Sequence, residues 1–79
     1  MRQVEITREP VELFKILKFE GMVSSGGEAK LVIADGLVMV NGEIETRKRR
    51  KIVSDDVIEF GGDVILIQRP ANTLEKHND

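Results

Sequence analysis

Ser25-Gly26-Gly27-Glu28-Ala29-Lys30-Leu31-Val32-Ile33-Ala34-Asp35-Gly36-Leu37-Val38-Met39-Val40-Asn41-Gly42 contains a helix start, a helix stop and a hairpin turn in one short stretch. Ser25 and Glu28 have the spacing of a capping box. In that motif the hydroxyl accepts from the Glu28 backbone N–H, while the carboxylate reaches back to the N–H of Ser25. Ala29, Val32 and Ile33 then form a buried stripe at i, i+3, i+4, and Gly36 after Asp35 supplies a left-handed stop. The spacing predicts a helix of about eight to ten residues. Val38-Met39-Val40 and Glu43-Ile44 flank Asn41-Gly42, a pair suited to the two positive φ angles of a type I′ turn. A two-residue loop sets Met39 opposite Ile44.

Upstream, Gln3-Val4-Glu5-Ile6 alternates polar and apolar and reads as a strand too short to stand without a partner. Pro10 fits the first turn of a helix, and Leu13, Ile16, Leu17 and Glu20 follow on helical spacing, so a first helix is expected from Pro10 to Phe19. Gly21 closes it, and Lys15 and Lys18 suit the negative end of its dipole. Downstream, Ile52-Val53 precedes a turn at Ser54-Asp55-Asp56. Val57-Ile58-Glu59-Phe60 and Val64-Ile65-Leu66-Ile67 then form a second hairpin around Gly61-Gly62-Asp63. Its second strand is nearly all apolar, which requires cover on both faces or a central place in the sheet and makes it the expected partner of the N-terminal strand. The fold class is therefore α+β, with two short helices packed on a small, mainly antiparallel sheet. Residues 1–69 are read as one domain and residues 70–79, which lack any hydrophobic period, as a disordered tail.

With 79 residues, 41% of them hydrophobic, and no cysteine, the chain has one small core stabilised by packing alone. The N-terminus lacks the apolar centre of a signal peptide, no apolar run is long enough to cross a bilayer, and a cytoplasmic protein is expected. The aromatic residues are Phe14, Phe19 and Phe60, with neither Trp nor Tyr, so a base-stacking platform is not expected.

Arg47-Lys48-Arg49-Arg50-Lys51 places consecutive cations in a chain whose formal charge is −2, so the rest of the molecule is strongly acidic. Such a distribution attracts a polyanion to one face and repels it elsewhere, which favours an oriented contact with nucleic acid. In an extended loop alternate side chains diverge, so Arg47, Arg49 and Lys51 are expected on one side and Lys48 and Arg50 on the other. A basic run is commonly a solvated surface, but one held between two strands loses less freedom on binding than a tail does.

The quoted stretch, with Ser25, Ala29, Val32, Ile33, Gly36, Val38, Val40, Asn41 and Gly42 in the spacing S-R-x-x-A-x-x-L-I and G-x-V-x-V-N-G, resembles the S-four-type RNA-binding domain, or alpha-L motif. Val53-Ser54-Asp55-Asp56-Val57-Ile58 looks like that family's closing V-x-x-G-D-x-I, so the resemblance covers roughly residues 11 to 60. It resembles a single-domain bacterial member with short N- and C-terminal strands added. Two positions depart from the pattern: Gly26 stands where the family has arginine, and Asp55 where it has glycine. The resemblance implies that the second helix and the loop after Asn41-Gly42 meet structured RNA, with ribosomal and transfer RNA as candidates and the ribosome or a ribosomal subunit as a candidate partner. Lys30, Arg47, Lys48, Arg49, Arg50 and Lys51 are the expected RNA-binding residues, the run at 47–51 compensating for the absent arginine.

Nothing in the sequence reads as an enzyme. His77 is alone in the tail, without cysteine or a second histidine to complete a metal site. Asp55-Asp56 are adjacent turn residues better explained by backbone capping, and Ser25 already has a capping role. No cofactor, metal or membrane contact is expected, and a monomer is favoured. The alternative is a protein-interaction module whose basic loop docks on an acidic partner in a ribosome-associated assembly. An enzyme subunit would need a catalytic domain elsewhere.

Overall fold

The computed structural model describes residues 1–70; residues 71–79 of the expected tail, His77 among them, lie outside the described residues. The elements are β1 (Arg2–Glu5), β2 (Val11–Glu12), α1 (Leu13–Phe19), α2 (Gly26–Ala34), β3 (Met39–Val40), β4 (Glu43–Ile44), β5 (Lys51–Ile52), β6 (Val57–Phe60) and β7 (Asp63–Gln68). Five strands form one sheet in the order β1-β7-β6-β3-β4, antiparallel except for the β1–β7 pair, and β2 and β5 form a separate two-stranded antiparallel ribbon. The architecture is α+β.

The hairpin expected at Asn41-Gly42 is present, with φ of 54° and 83° at the two turn residues and Met39 opposite Ile44. The Asn41 side chain also joins the turn to the sheet: its Oδ1 accepts from the Val57 N–H at 2.9 Å and its Nδ2 donates to Asp56 Oδ1 at 3.0 Å. The second hairpin turns more tightly than expected. Gly61 and Gly62 alone form the loop, and Asp63 already pairs with Phe60. The apolar strand β7 lies between β1 and β6, as its composition requires, and pairs Val4 with Ile67.

The first helix begins later than Pro10. Val11 and Glu12 are extended and pair with Ile52 and Lys51, so the ladder with β5 replaces the first helical turn that local spacing suggested. The capping box of α2 is shared between two serines. Ser25 Oγ accepts from the Glu28 N–H at 3.1 Å, but the Glu28 carboxylate accepts from the backbone N–H and hydroxyl of Ser24, at 2.8 and 2.7 Å, in place of the Ser25 N–H. The Ser24 backbone and side-chain hydrogen bonds hold the Glu28 carboxyl below its ordinary pKa.

The core joins Leu13, Ile16 and Leu17 of α1, Ala29 and Ile33 of α2, and Val38, Val40, Ile52, Ile58, Ile65 and Ile67, all nearly inaccessible to solvent. Val32, expected inside, is half-buried at its margin, as is Phe60. Ile52 is fully buried although it directly follows the basic run, and it anchors the end of that run to the core.

Candidate nucleic-acid interface

The basic run is a fastened turn, closed by the Arg50 N–H donating to the Arg47 carbonyl at 3.1 Å. Helix α1 has no side-chain cap, which leaves its first N–H groups in need of acceptors. The loop supplies them: the Leu13 N–H donates to the Arg50 carbonyl at 2.9 Å and the Phe14 N–H to the Lys48 carbonyl at 3.0 Å. With β5 paired to β2 on the other side, the backbone of the run is held against α1.

The turn defeats the alternation expected of an extended loop. Arg47 and Arg50 converge on one carboxylate, that of Glu45, which is only 6% exposed. Glu45 Oε2 accepts from Arg47 Nε at 2.9 Å and from the Arg47 backbone N–H at 2.8 Å; Oε1 accepts from Arg47 Nη2 at 2.8 Å and from Arg50 Nη1 at 2.9 Å. The Arg47 side-chain hydrogen bonds drive the Glu45 pKa far below its ordinary value of 4.5 against the opposing effect of burial, and the same contacts raise that of Arg47. The Arg47 side chain nevertheless remains 72% exposed, so its position is fixed while much of its surface faces solvent.

Arg49 lies elsewhere in the same patch. It donates to Glu12 at 3.2 Å, and its guanidinium carbon stands 5.4 Å from the centre of the Phe14 ring. Lys30 Nζ of α2 stands 4.8 Å from that ring centre and Lys15 Nζ 5.9 Å. Cations favour the negative face of an aromatic ring, so Phe14 gathers charges from α1, α2 and the loop. Lys30 of α2 and Arg49 of the basic run thus stand at the same ring. Arg47, Arg49, Arg50 and Lys51 line a broad, shallow concavity of about 740 Å³. Lys48 and Lys51 make no ion pair among the described residues.

Glu45, Glu12 and Phe14 were assigned no part in this face by the sequence. The available signal was the spacing of Glu45 two residues before Arg47 and five before Arg50, which a tight turn brings to a single point. Gly26 leaves room where the family pattern has arginine: a Cβ built there would meet only the Lys18 side chain, at 4.0 Å. Among the described residues no group of three or more His, Cys, Asp or Glu side chains could hold a metal, and no helix is long and apolar enough to cross a membrane.

The S4 domain family matches residues 4–68. YbcJ of Escherichia coli (strain K12) is 52% identical over 52 residues, covering 66% of this chain and 74% of that protein. Its solution structure, described as revealing an alfaL motif involved in RNA-binding, matches with a TM-score of 0.67 and 42% identity over 86% of this chain and 87% of that one. A Bacillus subtilis (strain 168) protein named "Probable ribosome maturation protein RlbA" is 36% identical over 59 residues, covering 75% of this chain and 83% of its own. The 30S ribosomal protein S4e of Thermoplasma acidophilum matches with a TM-score of 0.61 and 29% identity, over 73% of this chain and 31% of that one. With the capped second helix and the Asn41-Gly42 hairpin within the matched span, this chain belongs to the S4 domain family.

Proposed function

We propose that this protein binds folded or double-stranded RNA through the face built from Lys30 and residues 47–51, and that it does so in a ribosome-associated setting in the cytoplasm. The observation carrying this proposal is the convergence of Lys30 and Arg49 on the Phe14 ring beside a concavity lined by Arg47, Arg49, Arg50 and Lys51. The arginines belong to a loop fastened to α1, so little freedom is lost when they meet phosphates. An A-form duplex presents phosphates and 2′-hydroxyls on a wide, shallow minor groove, and recognising them requires charge and shape more than stacking aromatics. The resemblance to YbcJ, whose structure is described as RNA-binding, and to a ribosome maturation protein supports the same direction.

Residues 1–69 act as one binding unit, a monomer with no chemistry of its own. A pull-down with and without nuclease, followed by sequencing of the bound RNA, tests the proposal. Partners released by nuclease are expected. Capture of an acidic protein that survives nuclease would favour docking on protein.

A further inference from the structure

We propose that Glu45 is a positioning residue for RNA binding: its buried carboxylate holds Arg47 and Arg50 as a rigid pair, so that they engage the phosphate backbone as one unit. The proposal rests on the RNA-binding function proposed above and deepens it by assigning a role to an acidic residue inside a basic face.

The geometry distinguishes this arrangement from an incidental surface pair. Glu45 is 6% exposed, sits at the start of the segment leading from β4 into the basic turn, and is tied to the residue just before β3 by its own N–H, which donates to the Val38 carbonyl at 2.9 Å. One carboxylate receives four hydrogen bonds from two arginines, two of them from the Arg47 guanidinium in a parallel fork. Arg47 spends Nε and Nη2 on this fork yet keeps a side chain 72% exposed. A guanidinium so held has already lost its rotamer freedom before any ligand arrives, which lowers the cost of forming further charge-assisted bonds. Arg50, 30% exposed, is held by Oε1 of the same carboxylate, the oxygen that also accepts from Arg47 Nη2, and lines the same concavity as Arg47.

The sign of one substitution separates positioning from simple charge. If Glu45 contributes only its charge, Glu45→Gln removes a negative group beside a polyanion site and strengthens RNA binding. If Glu45 positions the arginines, the same change weakens binding, because an amide NH2 in place of one carboxylate oxygen cannot accept, so the two-oxygen fork on Arg47 is lost. Glu43→Gln is the control for charge alone, since Glu43 is exposed on β4 and makes no ion pair among the described residues.

The experiment measures affinity of the full chain and its variants for a blunt RNA duplex of about 16 base pairs, over a salt series, with circular dichroism on the same samples. Glu45→Gln is expected to weaken binding about fivefold to tenfold and lower the salt slope, whereas Glu43→Gln leaves affinity equal or raised. Arg47→Lys keeps the charge but loses the fork, and it is expected to weaken binding as well; it decides the matter if Glu45→Gln fails to fold. Affinity equal to or tighter than wild type in folded Glu45→Gln, or in Arg47→Lys, would overturn the positioning role. An independent readout is the Arg47 Nε–H resonance in the RNA-free protein, expected to be distinct and slow to exchange, and to lose protection in Glu45→Gln. An unprotected Nε–H in wild type overturns the clamp whatever RNA does. A protected one in a wild type that binds no duplex overturns the RNA function and the use assigned to the clamp.

Discussion

The backbone N–H of Phe14 donates to the carbonyl of Lys48 at 3.0 Å, so the first turn of α1 is capped by the middle of the basic run. This bond and its neighbour from Leu13 to Arg50 give the loop a structural duty alongside its charge. Residues 47–51 are therefore part of how α1 begins, and substitutions there divide into those that touch only solvent and those that disturb the fold.

That division can be measured. Lys48→Gln and Lys51→Gln are expected to leave the thermal midpoint unchanged, because neither ammonium makes an ion pair among the described residues. Reversing Arg47 and Arg50 together to glutamate places three carboxylates where one buried carboxylate had two cations, and is expected to cost about 3 kcal/mol or more. Urea unfolding of both sets would show whether the loop carries this structural load.

Glu45 makes stability depend on acid. Its folded pKa is held below the ordinary 4.5, so its contribution is fully present above that value and is lost progressively as the pH falls through it toward the depressed folded value. At pH 7, Glu45→Gln is expected to be less stable than wild type by about 1 to 3 kcal/mol. The gap between the two should narrow as the pH is lowered below about 4.5. A gap constant from pH 7 to pH 3 in chemical denaturation would contradict the assignment.

Ser25→Ala removes the acceptor of the Glu28 N–H and is expected to cost about 1 kcal/mol, or roughly 4–8 °C in melting temperature for a domain of this size. Ser24→Ala should cost less, since the Glu28 carboxylate keeps the Ser24 backbone N–H. Melting curves of the two variants rank the two halves of the cap.

Asp55 occupies φ of +78°, the left-handed region that disfavours side chains, at the position where the family pattern has glycine. Relief of that strain outweighs the greater freedom of unfolded glycine, so Asp55→Gly is expected to raise stability by roughly 0.5 kcal/mol. A lowered melting temperature would mean that the Asp55 carboxylate has a partner role that the geometry does not show.

The parts of this fold that were legible in the sequence are those fixed by local geometry. Asn41-Gly42 sets its own turn because its two positive φ angles have few other solutions, and the apolar run of β7 demands cover, which a place between β1 and β6 helps to supply. Where long-range pairing competes with local preference, legibility fails. Val11-Glu12 fit a helix equally well until Lys51-Ile52 pair with them. The same holds for the candidate site: Lys30 and the basic run were visible as charges, and Phe14, which brings Lys30 and Arg49 together, was read only as an aromatic too isolated to stack bases. Glu45 was hidden because a lone glutamate beside a turn ordinarily faces water, and only the convergence of Arg47 and Arg50 permits its burial.

The most direct test of RNA binding through this face is a filter-binding salt series of the wild-type chain on duplex RNA, with Lys30→Gln beside it. Neutralisation of about three to five phosphates gives an expected logarithmic salt slope of about 2 to 4.5. The slope should fall by about 0.7 to 0.9 in Lys30→Gln, and duplex should be preferred over unstructured single strand. An affinity independent of salt, or a clear preference for the single strand, would contradict recognition of folded RNA through this basic face.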